Sequence, residues 1–349
     1  MNDSQSPAVP KETFLSTWRY KQYRFVWFSA LFAYAGRWIE TTVSSWLILN
    51  LTNSPTAVGL LQASRFGPML FGPFCGTIAD RFGRQRILVI AQAVYCLGAL
   101  IIMLLFIVDG LSVWHLYTFI FISGLSFTFD YSTRYAFVSE LIPKQNIVPA
   151  VSFILMLMNG TSVLGPLVGG VFYDVIGADG SFALVAVSFF LSFVSLVILK
   201  IKNPVITRNA ESIWQNLVAG FRYIKNDRAL AVIILLAALV NLFVFPYRLT
   251  LIPVFAHDIL RTDSTGYGIL MASTGFGAMI GSMITASIPS SVNKGNLLVI
   301  SIIAWPAVLI GFALSGLYAI SLPLLLLTGV AQGIAMALIQ ALILSNASE

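Results

Sequence analysis

The sequence predicts an all-α polytopic membrane protein, and three observations carry that prediction. Of 349 residues, 58% are hydrophobic and only 10% are charged, whereas soluble domains carry about 25% charged residues. Apolar runs near the length of about 20 residues needed to cross the hydrocarbon core recur ten times. The runs are continuous rather than alternating, which favours helices over the strands of a membrane barrel.

The elements follow in chain order. Residues 1–24 are a polar, then basic lead-in, and Trp18, Tyr20 and Tyr23 among its bases suit a membrane interface. Because the lead-in enters a full-length apolar run with no small-residue cut site, it does not read as a cleavable signal. Residues 25–199 hold six spans, at 25–49, 57–78, 87–108, 113–138, 149–173 and 181–199. Residues 200–228 form a polar linker. In it Ile213, Trp214, Leu217, Val218, Phe221 and Ile224 recur at helical spacing. That pattern predicts an amphipathic helix, lying either on the headgroup layer or against the bundle. Residues 229–349 hold spans 7 to 10, at 229–255, 266–288, 297–314 and 319–344.

Orientation comes from the basic residues. With the N-terminus in the cytoplasm, fifteen of the 20 lysines and arginines fall in cytoplasmic segments, and Arg261 alone falls outside. The remaining four lie within spans. Such a bias sets topology and accounts for the net charge of +6. Basic loops then meet anionic headgroups, and nucleic acid is not needed as a partner. Cys75 and Cys96 fall in or beside spans and read as small apolar residues. No metal-binding, nucleophile-elbow or phosphate-loop pattern is present, so an enzyme is not expected.

The loop between spans 2 and 3 is the most specific feature. It reads Gly76-x3-Asp80-Arg81-x-Gly83-Arg84-x-Arg86. A basic topogenic loop explains the arginines but not the glycines or the aspartate. The spacing and the position between two spans resemble the corresponding loop of the major facilitator superfamily. The resemblance implies two pseudo-symmetric six-helix halves, small-molecule transport by alternating access, and a monomer in the lipid bilayer. It also implies a role for this loop as a cytoplasmic gate, with its aspartate facing the N-terminus of an eleventh helix and its arginines pairing with neighbouring acids. A weak internal repeat agrees. Gly59–Ser64 resembles Gly268–Ser273 at an offset of 209 residues, and the same offset pairs Gly72 with Gly281. Under the resemblance twelve spans are expected. Ten are found, so the chain is expected to lack spans 11 and 12; a genuine ten-span protein is the alternative.

Span 5 carries Gly165-Pro166-x2-Gly169-Gly170, with Gly160 more than a turn earlier. Glycines allow close helix approach and Pro166 removes a backbone donor. The pattern resembles that of proton-coupled exporters of the superfamily, although Thr161 stands where a further glycine belongs. Longer phrases, Trp46–Pro55, Tyr247–Ala256 and Gly266–Leu270, look like the enterobactin-exporter and macrolide-efflux branch. That likeness implies proton-driven export of a bulky amphiphilic molecule, such as a siderophore or a macrolide, across a bacterial inner membrane. No cofactor beyond the proton gradient is implied. Phe129–Arg134 departs from the branch late in span 4, which puts transfer of substrate identity in doubt.

Charges inside spans are costly, about 2.5–3.5 kcal/mol on insertion scales, and read as functional by default. They are Arg37, Glu40, Arg65, Asp130, Arg134 and Arg248. At about 1.5 Å per residue, Glu40 and Arg65 sit at similar depth and are expected to face each other or a shared cavity. Arg37 and Glu40, three apart, offer the alternative pairing along one helix. Asp130 and Arg134, four apart near the end of span 4, are expected to pair or to snorkel. Glu40 is the candidate proton carrier. Tyr34, Trp38, Tyr131, Asn241 and Phe245, together with Phe127, Tyr247, Gln332 and Gln340, are candidate cavity residues. The alternatives to an exporter are an importer of the same fold and a non-transporting scaffold.

Overall fold

The computed structural model describes residues 14–199, 247–289 and 293–347, together with Val232 and Leu235. The linker 200–228, most of span 7, Asn241 and Phe245 lie outside the described residues. Among those described, every regular element is helical. Among the described residues, five helices are long and apolar enough to cross a membrane: Arg84–Ile107, Lys144–Val197, Ser264–Ala286, Gly295–Ala313 and Tyr318–Gln340.

Span 1 is the helix Lys21–Thr52. Its middle is unusually polar, with Arg37, Glu40, Thr41, Thr42, Ser44 and Ser45. The lead-in is a short 3-10 helix, Phe14–Arg19, packed on the bundle: the Trp18 ring lies 5.1 Å from that of Trp27 and 5.8 Å from that of Phe153. Span 2 is broken, contrary to the continuous helix expected. Pro55–Phe66 is capped by the Ser54 side chain, Gly67–Phe71 is a 3-10 turn, and Gly72–Phe82 resumes the helix. Pro68 and Pro73 each lack a backbone donor, so the regular ladder cannot run through both Gly-Pro pairs.

Gly83 turns the chain from span 2 into span 3, Arg84–Ile107, with φ 96°. Side chains disfavour that region, which explains a glycine at this place in the loop. Span 4 is Val113–Leu141. Spans 5 and 6 run as one helical segment, Ile147–Val197, broken only at Gly177 (φ 75°). The wider loop expected from 174 to 180 is therefore a single reversal. Ala150 and Leu196 return to the same buried cluster around Tyr23 and Leu88. The described end of span 7 carries π-type turns, Tyr247–Leu251 and Phe255–Ile259, around Ile252–Val254, and extends past the expected Phe255. Spans 8, 9 and 10 are Ser264–Ala286, Lys294–Ala313 and Tyr318–Ala347. Asp263 and Asn293 cap the first two.

Two helix pairs pack alike through a glycine on a carbonyl. Gly124 of span 4 sits against the Arg65 carbonyl of span 2, and Gly329 of span 10 sits against the Thr274 carbonyl of span 8. Residues 65 and 274 are separated by the 209-residue offset of the repeat. Outward faces stay apolar: Leu70 and Leu314 are each 83% exposed, an arrangement suited to lipid rather than water.

Candidate functional site

Among the described residues, the charges inside the spans are of two kinds, paired and unpaired. In the first, Glu40 and Arg65 are both buried and form the bidentate pair that depth arithmetic anticipated, with Nη1 and Nη2 at 2.7 and 2.9 Å from the two carboxylate oxygens. Tyr95 donates its hydroxyl to the same carboxylate at 2.7 Å, and Ser123 donates in turn to Tyr95 at 2.9 Å. Arg65 also donates to Gln62 and Ser44, and Gln62 donates to Ser45 and to the Leu249 carbonyl across the bundle. Four guanidinium N–H bonds and both carboxylate oxygens are thus engaged, as a buried pair requires.

Asp130 and Arg134 form an i,i+4 pair, at 2.9 Å from Nε to Oδ2. They do not snorkel. Arg134 is fully buried and donates to the Val26 carbonyl and Ser29, while Gln92 donates to Asp130.

The second kind is unpaired. Arg37 does not bond Glu40. Its guanidinium lies over the Phe127 ring at 3.5 Å, and its Nη1 is buried without a hydrogen-bond partner. Arg248 lies over Trp38 at 4.9 Å and donates from Nη2 to the Ser162 carbonyl at 3.2 Å and, at 3.5 Å, towards that of Met271; its Nε has no partner. Both line one cavity of about 240 Å³, with Tyr34, Trp38, Arg65, Phe66, Phe127 and Asn159 among its other walls. Tyr34 and Trp38 are where the sequence placed them. Tyr131 is not: it is 44% exposed and packs between Phe127 and Tyr135. Its spacing from Phe127 put it on the right helix face, but one turn too far along. Asn241 and Phe245 lie outside the described residues.

The charged loop after span 2 binds within its own half. Arg84 reaches Asp80 at 2.7 Å, Glu140 at 2.9 Å and the Ala136 carbonyl at 2.9 Å. The arginine-to-acid contact expected of it is therefore made to span 4, and Asp80 pairs inside the loop. Gln85 donates to the Leu196 and Leu199 carbonyls at the end of span 6.

The span-5 glycines serve close approach. A side chain at Gly165 would meet Trp38, one at Gly169 the Ile39 carbonyl, and one at Gly170 the Ser264 carbonyl of span 8. Gly160 is different, since nothing lies within 4 Å of the position a Cβ would take. The motif thus clamps span 5 between spans 1 and 8.

One turn beyond it, Asp174 receives the Ser264 hydroxyl at 2.6 Å and the Thr265 amide and hydroxyl at 2.8 and 2.6 Å. Burial alone would raise its pKa, but these donors outweigh it and hold the carboxyl below its ordinary value. A carboxylate at the start of span 8 is also favoured by the helix dipole. Sequence reasoning missed Asp174, Tyr95, Gln62 and Gln92. Gln92 and Tyr95, three apart in span 3, were the legible signal for two of them.

A family model described as transmembrane secretion effector matches residues 12–345. Among curated relatives, the staphyloferrin A transporter of Staphylococcus aureus is 23% identical over 295 residues, covering 84% of this chain and 72% of that protein. The enterobactin exporter of Shigella flexneri is 24% identical over 252 residues, covering 72% of this chain and 59% of that protein. Among solved structures, a bacterial homolog of the human lysosomal transporter Spinster, inward-facing and unoccupied, superposes with a TM-score of 0.70. It is 16% identical and covers 92% of this chain and 75% of its own. A D-xylose–proton symporter gives 0.65 at 16% identity, covering 95% and 87%. These likenesses establish the helical transporter fold.

Proposed function

This chain belongs to the transmembrane secretion effector family of the major facilitator superfamily, and on that premise we propose that it is a secondary active exporter of an amphiphilic small molecule. One observation carries the reading: the cavity between spans 1, 2, 4, 5 and 7, aromatic on its walls and polar at Asn159, Arg37 and Arg248. Sites for drug-sized ligands measure about 300–1,000 Å³. At about 240 Å³ this cavity takes one end of such a ligand, and a whole siderophore or macrolide requires the halves to part.

Alternating access supplies that movement. The Gly170–Ser264 approach and the Asp174 contacts hold the halves together at one end. The Asp80–Arg84–Glu140 loop stands at the other. The outward direction rests on the family's description, on relatives named as exporters and on the span-5 glycines. The positive bias of the loops supports an orientation with the N-terminus and the gate loop in the cytoplasm.

Proton coupling is part of the proposal, with Glu40 as carrier. Protonating Glu40 would dissolve the bidentate pair and free Arg65 towards the cavity it already lines. Efflux of a panel of siderophores and macrolides from cells, with and without an uncoupler, tests the function. Uncoupler-sensitive efflux is expected. Uncoupler-sensitive accumulation would reverse the direction, and no transport of any panel member would overturn the reading.

A further inference from the structure

Four arginines and two acids lie inside the spans. Glu40 satisfies Arg65, and Asp130 satisfies Arg134. Arg37 and Arg248 remain, and each keeps a buried guanidinium nitrogen without a hydrogen-bond partner among the described residues. Among the described residues, no carboxylate lines the cavity that both of them border. Residues 229–246, the part of span 7 before Tyr247, contain no Asp or Glu. Uncompensated charge at this depth is strongly disfavoured unless something supplies a counter-charge.

The two guanidiniums are also held ready. Phe127 covers the face of Arg37, and Trp38 lies against that of Arg248. Stacking on the face leaves the N–H edges free, and a guanidinium edge matches an oxyanion in two-point geometry. Trp38, Phe66 and Phe127 then offer apolar surface to the body of the same ligand.

We propose that this cavity is an anion site, in which Arg37 and Arg248 are the counter-ions for the carboxylate or other oxyanion of an aromatic or apolar organic acid. The proposal rests on the exporter reading and deepens it, because it fixes the charge of the cargo. A cationic amphiphile would set like charge against two guanidiniums. A neutral one could accept hydrogen bonds at their edges but would bring no counter-charge.

The test uses the full chain, purified in detergent or nanodiscs, with isophthalate as probe and its dimethyl ester as the uncharged counterpart of similar shape. Isophthalate should raise the melting temperature in a dose-dependent way, and the effect should weaken with salt. The ester should not. Arg37→Gln and Arg248→Gln should each weaken isophthalate binding at least tenfold while melting no lower than the wild type without ligand. Arg37→Lys and Arg248→Lys keep the charge and should retain part of the affinity, which covers the case in which a glutamine variant fails to fold. Equal binding of the ester, or wild-type affinity in Arg248→Gln, would overturn the proposal. Uncoupler-sensitive efflux of neutral compounds without isophthalate binding would sink the anion site and leave the exporter standing. Isophthalate binding without efflux of any compound would do the reverse.

Discussion

Arg65 and Arg248 both border one cavity in the bundle, are nearly inaccessible to solvent, and differ in one respect. Arg65 has its carboxylate at 2.7 Å, Gln62 and Ser44 accept from its other N–H groups, and Tyr95 donates to the same carboxylate. Arg248 has two carbonyls, a tryptophan face and an unused nitrogen. The same residue type, under the same desolvation, is structural in one place and available in the other. The distinction lies wholly in what the neighbouring helices bring, so a charge inside a span is not by itself a functional residue.

The largest effect should come from dissolving the Glu40–Arg65 pair. Glu40→Gln leaves Arg65 buried without its counter-ion, and breaking such a pair removes about 3–5 kcal/mol. Thermal or chemical unfolding of the purified protein measures this, and the same variant should lose transport driven by a pH gradient in vesicles. Unchanged pH-driven transport would remove Glu40 from coupling while leaving its structural role. A smaller effect is expected from Gly124→Val. The added carbons press on the Arg65 carbonyl and shift the guanidinium from Glu40, an overpacking loss of about 1–3 kcal/mol seen in the same melts.

The charges near the ends of the bundle extend the comparison to sites that water reaches. Asp174 has its pKa held down by its donors, so its contact with span 8 is fully present above the ordinary aspartate value of about 3.9. The contact is lost as pH falls through the lower folded value. Asp174→Asn should therefore melt lower than the wild type above about pH 5, and the difference between the two melting temperatures should shrink as the pH falls through the lowered folded value. The smallest effect belongs to Arg84→Gln. Its partners are partly exposed, and such pairs are worth at most about 1 kcal/mol.

The contrast between the two arginines was only half legible in the sequence. The rise of a helix gave Glu40 and Arg65 a common depth, and the spacing of Asp130 and Arg134 gave their pairing. Both follow from one-dimensional geometry. Whether Glu40 would take Arg65 or Arg37 depended on helix rotation, which spacing leaves open. Gln62 and Ser44 were invisible because uncharged polar residues are common in spans and reveal themselves only across a helix contact. The Gly-Pro pairs at 67–68 and 72–73 did signal the break in span 2, but a hydropathy reading passes over them. Asp174 was beyond reach, since nothing local says that the end of span 5 meets the start of span 8.

The most direct measurement is a crossed one, in which unfolding stability and isophthalate affinity are determined for Glu40→Gln and Arg248→Gln side by side. The account predicts that Glu40→Gln loses stability and binds the anion at least as tightly, because Arg65 then becomes a third free cation on the cavity. It predicts that Arg248→Gln keeps its stability and loses the anion. If both variants lose stability and neither loses affinity, the division between paired and available arginines is wrong.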